Sequence, residues 1–157
     1  MIFAVIALVV IILDQLTKYF IKISMYHNES IPIIENIFHI TFVKNHGAAF
    51  GILQGQTIFL VAVTAAIIFL LVGVYWKLAR QNIILTTGLA LQLGGAVGNF
   101  IDRVRFSYVV DFFDFRVWPV FNIADMAIVA GTIIVVWQII VWPDKTEVGK
   151  EEQDGKI

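Results

Sequence analysis

The sequence contains no cysteine, and this absence excludes disulfide bonds and thiolate metal sites. Charge is also scarce: Asp, Glu, Lys and Arg make up 15% of the 157 residues, and the net charge is −1. Because basic residues are not in excess, this balance indicates neither nucleic-acid binding nor a strongly basic patch for a membrane surface. We therefore expect no nucleic acid among the partners.

Apolar residues are what the sequence has in abundance. They account for 59% of the chain, and the mean hydropathy is +0.86, whereas ordinary soluble domains are roughly 45–50% apolar. The predicted fold is a mostly α membrane protein, a four-transmembrane-helix bundle, with residues 1–142 forming one membrane-embedded domain. The four predicted spans lie at about residues 2–23, 57–76, 83–101 and 120–142.

The same pattern predicts how the chain begins and ends, but it leaves the orientation in the membrane open. The first span has no basic residue before it and no small-residue cleavage site after it, which favours a permanent span over a secretory signal. An even number of spans places both termini on one side of the membrane. Basic residues flank both sides equally, so the positive-inside rule does not select an orientation. Residues 143–157 are charged and predict a disordered tail.

The long connections are not plain loops, because two segments in them are rich in β-branched and aromatic residues. Phe38–Val43 and Ser107–Val117 both predict short strands. Unpaired backbone is costly at the lipid boundary, so we expect these strands to pair into a small sheet on the membrane surface. Aromatic residues would anchor the sheet at headgroup level, and the candidates are Tyr26, Phe112, Phe113, Phe115 and Trp118.

Almost every polar residue within the spans lies toward the side that carries the long connections. Residues three or four apart share a helix face, so each polar group is expected to face the bundle rather than lipid. The topology therefore predicts that they converge on one site. The residues are Asp14 and Lys18 in the first span, Asn99, Asp102 and Arg103 in the third, Asn122 and Asp125 at the start of the fourth, and Asn45–Phe50 in the first connection.

Asp111 and Asp125 are the most informative residues, because ionised carboxylates near lipid are costly and are usually functional. Asp125 would lie only roughly 5 Å below the helix start, within reach of water. Two carboxylates that approach closely at low dielectric share a proton. One can then act as general base on water while the other polarises a carbonyl, which allows peptide hydrolysis without a metal.

Other interpretations of these residues remain open from residue physics alone. Asp111 and Asp125 are also compatible with two solvated loop acids, and Asp102 and Asp114 compete for the same role. Asp14 with Lys18 fits a buried ion pair as well as a substrate contact. Small residues in the third span, including Gly88, Gly94, Gly95 and Gly98, favour close helix packing, and Asn99 and Asn122 suit interhelical hydrogen bonds.

Other chemistries have less support. His27, His39 and His46 lack the HExxH spacing of a zinc site, so we expect no metal and no cofactor. No nucleophile-elbow context surrounds any serine, although a serine–lysine pair stays open. Two rivals from other classes are a small proton-coupled membrane transporter and a non-catalytic membrane assembly factor. The transporter predicts a site near the midplane and repeated halves, and neither pattern is visible.

Five blocks in order give the chain a close resemblance to the lipoprotein signal peptidase family, signal peptidase II. The resemblance extends from the first span to the last and leaves out only the tail. Each block is short, but five of them in order across four spans are highly specific. The blocks are DQLTK (Asp14–Lys18), NHGAAFG (Asn45–Gly51), GGAVGNFIDR (Gly94–Arg103), VVDF (Val109–Phe112) and FNIAD (Phe121–Asp125).

The resemblance implies an aspartic endopeptidase that removes the signal peptide of prolipoproteins immediately before a diacylglyceryl-modified cysteine. Asp111 and Asp125 would be its catalytic pair. The NHGAAF stretch would belong to a lid segment that closes over the substrate. Supporting or substrate-binding residues would be Asn45, Gly47, Asn99, Arg103 and Asn122, together with Asp14, Lys18 and Asp102.

The resemblance also implies partners and a location. The partners are diacylglyceryl-modified prolipoproteins, membrane lipid, and globomycin-type cyclic peptide inhibitors that occupy the cleft. The location is the bacterial cytoplasmic membrane, with the active site toward the outer face. Both termini, including the tail of residues 143–157, would be cytoplasmic.

Overall fold

Four long helices and a small sheet make up the computed structural model, which describes residues 1–47 and 52–141. Each helix is long and apolar enough to cross a membrane, and α2 continues into a π-helical turn at Tyr75–Ala79. The predicted four-helix membrane bundle with a small sheet is therefore confirmed. The elements are α1 (Ile2–Ser24), β1 (Ser30–Ile34), β2 (Phe38–Asn45), α2 (Thr57–Val74), α3 (Ile83–Phe106), β3 (Val109–Asp114) and α4 (Ile123–Val141).

The helix ends differ from the predicted spans where polar residues take part in the helix. The third span was placed at residues 83–101, but α3 continues to Phe106 and ends at Ser107, whose φ of 62° is left-handed. The fourth was placed at 120–142, but its helix begins at Ile123. An apolar pattern stops at the first run of charge, whereas backbone hydrogen bonding does not. The predicted tail, residues 143–157, lies outside the described residues.

The small residues of α3 let this helix lie between α1 and α4. A Cβ added at Gly94 would lie 2.7 Å from the Cβ of Val10 in α1, and one added at Gly95 would overlap the carbonyl oxygen of Ala124 in α4. Close backbone approach of this kind replaces the hydrophobic effect as the source of helix association in a bilayer. The packing role of these glycines is therefore visible directly.

The three strands form an antiparallel sheet in the order β1-β2-β3. Both predicted strands are present, although the second is shorter than its predicted range of Ser107–Val117. β1 was not predicted, because its five residues are all exposed and include Pro32, so it carries no alternation of burial. Proline is tolerated there because β1 is an edge strand.

The sheet packs against one end of the bundle through a cluster that includes Met25, Phe42, Val110 and Phe112. The prediction that Phe112 anchors the sheet at headgroup level is wrong, because its side chain is only 3% exposed. Val110 and Phe112 are two apart in β3, so they project from the same face of the strand and pack into the protein. Among the other predicted anchors, Tyr26, Phe115 and Trp118 are exposed, and Phe113 is partly buried.

Candidate active site

Asp111 of β3 and Asp125 in the first turn of α4 line the same cavity, whose volume is about 1030 Å³. Asp111 is 2% exposed, which excludes its interpretation as a solvated loop acid, and Asp125 is half-buried. β3 places Asp111 opposite Val43 of β2, so the sheet carries one carboxylate to the helix end that carries the other.

Asn122 and Asp125 form reciprocal hydrogen bonds at the start of α4. The Asn122 side-chain oxygen accepts from the backbone N–H of Asp125 at 3.0 Å, and Asp125 Oδ2 accepts from the backbone N–H of Asn122 at 3.2 Å. This is the arrangement of a capping box, in which two otherwise unpaired helix donors are satisfied at once. The cap leaves Asp125 little rotational freedom.

Three asparagine amides supply the remaining hydrogen bonds to the two carboxylates. Asn122 Nδ2 donates to Asp111 Oδ1 at 2.7 Å, and Asn45 Nδ2 donates to Asp111 Oδ2 at 2.9 Å. Asn99 Nδ2 donates to Asp125 Oδ1 at 2.8 Å. With the bond from the Asn122 backbone, each of the four carboxylate oxygens accepts an N–H. Both carboxyl groups are thus held by neutral donors, and no cation in residues 1–47 or 52–141 forms an ion pair with either one.

The orientations of the Asn45 and Asn99 amides are each determined by a partner that can only donate. The side-chain oxygen of Asn45 accepts from the backbone N–H of Gly47 at 2.9 Å, which leaves its NH₂ group for Asp111. The Lys18 ammonium donates to Asn99 Oδ1 at 2.9 Å. Because an ammonium has no acceptor capacity, the NH₂ group of Asn99 must face Asp125.

The environment of Asp111 favours its protonated form. Burial, followed by the negative charge of Asp125, raises the pKa of Asp111 from its ordinary value of 3.8 to about 7. The hydrogen bonds from Asn45 and Asn122 act in the opposite direction but do not outweigh burial. Near pH 7 a large fraction of the molecules therefore carries a proton on Asp111, which is the state that acid–base hydrolysis by two carboxylates requires.

Behind the pair lies a buried ionic cluster centred on Lys18. Its ammonium lies 2.9 Å from Asp14 Oδ2 and 3.1 Å from Asp102 Oδ2, and all three side chains are at most 1% exposed. None of the three lines the cavity. Of the two open interpretations of Asp14 with Lys18, the geometry therefore favours the buried ion pair.

Both acids of this cluster also hold backbone beside the cavity. Asp14 Oδ1 accepts from the N–H of Ala124 at 3.0 Å, and Asp102 Oδ2 accepts from the N–H of Val110 at 3.1 Å. Ala124 and Val110 directly precede Asp125 and Asp111 in the chain. The cluster thus fixes the main chain next to each carboxylate of the pair.

Gln15 is a member of the cluster that sequence reasoning missed. Its amide nitrogen lies within 3.2 Å of Asp14 Oδ2, Asp102 Oδ1 and the carbonyl oxygen of Gly98. Its position next to Asp14, in a span with few polar residues, is a signal that could have identified it. Its spacing is a second signal, because Gln15 lies three residues before Lys18 and so shares a helix face with it.

Arg103 lines the cavity. Its guanidinium donates to the carbonyl oxygen of Gly47 at 3.2 Å and so connects α3 to the first long connection. Gly47 is the last described residue before the gap at 48–51, so the rest of the predicted lid segment, Ala48–Phe50, lies outside the described residues.

Asp114, the other rival carboxylate, is placed differently. It accepts hydrogen bonds from Thr41 at 2.8 Å and from the Arg116 guanidinium at 3.0 Å, and it does not line the cavity. Burial would raise the pKa of Asp114, but the hydrogen bonds from Thr41 and Arg116 outweigh it and hold the pKa below its ordinary value. Asp114 therefore stays ionised, and its hydrogen bond with Thr41 connects β3 to β2.

A family model described as signal peptidase (SPase) II matches residues 6–141 of this chain. The chain belongs to the signal peptidase II family. It is 51% identical over 138 residues to the lipoprotein signal peptidase of Moorella thermoacetica, a match covering 88% of this chain and 92% of that protein. With that of Halothermothrix orenii it shares 47% identity over 137 residues, covering 85% and 94%.

Solved structures agree with this assignment. A bacterial membrane enzyme determined by the in meso method at 2.3 Å resolution is similar with a TM-score of 0.82 and 39% sequence identity, covering 90% of this chain and 87% of that one. A second, at 1.9 Å resolution, has a TM-score of 0.79 and the same identity, covering 89% and 92%. Membership of the signal peptidase II family makes the chain a membrane-embedded protease.

The signal peptidase II cavity extends beyond the carboxylates into an apolar groove between α2, α3 and α4. Its walls include Ile67 and Leu71 of α2, Ala96 of α3, and Ile128 and Val129 of α4. Sequence reasoning did not identify these residues, because an apolar residue in a span carries the same signal whether it faces lipid, a neighbouring helix or a cavity. Among the described residues, no group of three His, Asp or Glu side chains is arranged to hold a metal ion.

Proposed function

We propose that this protein is an aspartic endopeptidase that cleaves the signal peptide from bacterial prolipoproteins immediately before the diacylglyceryl-modified cysteine. The observation that carries the proposal is that Asp111 and Asp125, both hydrogen-bonded to Asn122, line one cavity that continues into an apolar groove. The family supplies the substrate class, since its relatives are named lipoprotein signal peptidases.

The chemistry follows from the difference between the two carboxyl groups. The Asp125 carboxylate, in the first turn of α4, takes a proton from a water molecule whose oxygen bonds to the scissile carbonyl carbon. Asp111, whose pKa is raised to about 7, gives its proton to the carbonyl oxygen. Asp125 then passes its proton to the leaving nitrogen while the C–N bond breaks, and Asp111 recovers a proton from the intermediate's hydroxyl. Atoms and charge balance, and both residues return to their starting states.

The surrounding residues have supporting roles. Asn45, Asn99 and Asn122 hold the carboxylates, and Arg103, which lines the cavity, would bind a backbone carbonyl of the substrate. Asp14, Lys18 and Asp102 act from behind the site, and Gly47 connects Arg103 to the lid segment.

The apolar groove is suited to the signal segment of the substrate. Apolar burial together with a few polar contacts is sufficient to recognise such a ligand. The lipid chains of the modified cysteine would remain in the bilayer, so membrane lipid is also a partner. Globomycin-type cyclic peptides would occupy the same cavity and compete with the substrate.

In this proposal the protein lies in the bacterial cytoplasmic membrane with both termini in the cytoplasm. The sheet and the carboxylate pair lie at the outer face, where prolipoproteins emerge. Support comes from the fold, which places the sheet and the cavity mouth at the opposite end of the bundle from the turn between α2 and α3.

The test compares purified wild-type protein with Asp111→Asn and Asp125→Asn, using a diacylglyceryl-modified prolipoprotein and its unmodified precursor. We expect the wild type to cleave only the modified form and both variants to fold but lose at least about 10³-fold in rate, because each removes an acid–base group. Cleavage products are measured by mass spectrometry, which also locates the cut bond.

Asp114→Asn is the matched control, since it neutralises a buried carboxylate of the same strand that does not line the cavity. It should retain activity within a few-fold. Full activity in either Asp111→Asn or Asp125→Asn would refute the catalytic pair. A folded but inactive wild type would instead favour the transporter or assembly-factor alternatives.

A further inference from the structure

One polar side chain in the apolar groove is not explained by hydrolysis. Gln92 of α3 lines the same cavity as the carboxylates but lies seven positions before Asn99, which is two helical turns or about 10 Å along the axis. The apolar side chains of Leu71 and Ile128 line the same cavity, and Gln92 lies within the membrane-spanning helix α3. A polar group at this depth is costly and is by default a sign of function.

The hydrogen bonds of Gln92 determine which end of its amide is left over. The hydroxyl of Thr132 donates its single proton to the carbonyl oxygen of Ile128 at 2.8 Å, so toward Gln92 it can only accept. Gln92 Nε2 accordingly donates to Thr132 Oγ1 at 2.9 Å. The amide cannot be turned round without losing this bond, so the carbonyl oxygen Oε1 is the free end.

No residue in the described ranges 1–47 and 52–141 donates a hydrogen bond to Oε1 of Gln92. An apolar segment lying in the groove would cover this oxygen and leave it without a partner, which is unfavourable. A segment that brings a donor to the same place would avoid that penalty. A backbone N–H is present in every substrate and is already paired where the segment is helical. The donor that can distinguish one signal segment from another is therefore a side-chain hydroxyl.

We propose that Gln92 is a specificity-determining residue that selects substrates with a serine or threonine hydroxyl in the apolar part of the signal segment. The inference rests on the proposed function, because it assumes that this segment occupies the groove. The distance of about 10 Å corresponds to three residues of extended chain or seven of helix. The preferred hydroxyl therefore lies between the third and the seventh residue before the scissile bond.

The test uses a series of diacylglyceryl-modified substrates that carry threonine or valine at each position from the third to the seventh before the cut. Threonine and valine have nearly the same shape, so their ratio of kcat/KM isolates the hydroxyl. For the wild type we expect threonine to be favoured about 3- to 10-fold at one position, the range of a single neutral hydrogen bond, and not at the others.

Gln92→Met should abolish this preference, by lowering kcat/KM for the threonine substrate and raising it for the valine substrate. Gln138→Met is the matched control, because Gln138 is also a glutamine within a span and does not line the cavity. It should leave the threonine-to-valine ratio unchanged even if it alters the melting temperature. The wild-type series does not depend on whether either variant folds.

The experiment distinguishes failure of the proposed function from failure of the Gln92 inference. If no substrate is cleaved at all, the proposed function fails and this inference falls with it. If all substrates are cleaved but the wild-type ratio is near one at every position, the proposed function stands and Gln92 serves only as a helix–helix contact to Thr132. A ratio that Gln92→Met leaves unchanged also overturns the inference.

Discussion

The chemistry of the site is decided by the hydrogen-bond partners of individual carboxylate oxygens. Asp111 accepts from two asparagines, yet burial and the charge of Asp125 raise its pKa to about 7. An ordinary aspartate has a pKa near 3.8, so the position of Asp111 in the fold is what brings its protonation into the physiological pH range.

The pH dependence of cleavage follows from this pKa. Hydrolysis requires one proton on the pair, and that proton is lost as the pH rises above about 7. We therefore expect kcat/KM to fall about tenfold per pH unit on the alkaline side, with an apparent pKa of about 7. A profile of kcat/KM against pH, recorded in a fixed lipid and detergent mixture, measures this apparent pKa.

Asn45→Leu tests whether Asp111 is the group that sets this pKa. The Asn45 amide stabilises the ionised form of Asp111 and so lowers its pKa. Removing that donor raises the pKa, and the alkaline limb should move to higher pH whatever happens to the maximal rate. A limb that stays in place or moves to lower pH would show that another group sets it.

At the level of elements, the closeness of α3 to α4 controls the distance between the asparagines and the carboxylates. Gly95→Ala adds a Cβ that would overlap the Ala124 carbonyl oxygen, one turn from the bond between Asn99 and Asp125. We expect activity to fall about 100-fold, the effect of a displacement of roughly 1 Å, and the melting temperature to fall with it. Cleavage rates and thermal unfolding in detergent measure both.

Gly73→Ala on α2 is the control for Gly95→Ala. A Cβ at Gly73 meets no atom within 4 Å, and alanine favours a helix more than glycine does. This variant should keep its activity and unfold at the same or a higher temperature. Equal behaviour of the two variants would mean that α3 and α4 can separate without harm to the site.

The elements themselves were largely predictable from sequence, and their ends were not. Apolar runs identified all four spans, because a segment that crosses the hydrocarbon must be mostly apolar and must pair its own backbone polar groups. The end of α3 was misplaced because Asp102 and Arg103 interrupt the apolar pattern although they lie within the helix. β1 was missed because an exposed edge strand has no burial pattern to recognise.

For the whole molecule, topology predicted that the polar residues converge, but it did not predict that they separate into two hydrogen-bonded groups. They form two groups: the carboxylate pair with its asparagines, and the cluster of Lys18 with Asp14, Gln15 and Asp102. Helix spacing cannot assign a residue to one group or the other, because that depends on the rotation of each helix about its axis. The groove that holds Gln92 depends on the same rotations.

The orientation of the molecule in the membrane can be tested because the chain has no native cysteine. Glu35 lies exposed in the turn between β1 and β2, and Gln81 lies exposed between α2 and α3 at the other end of the bundle. With the active site outward, a membrane-impermeant maleimide should label Glu35→Cys in intact spheroplasts. Gln81→Cys should react only after permeabilisation. The reverse pattern would place the carboxylate pair on the cytoplasmic side, away from emerging prolipoproteins, and would be incompatible with the proposed function.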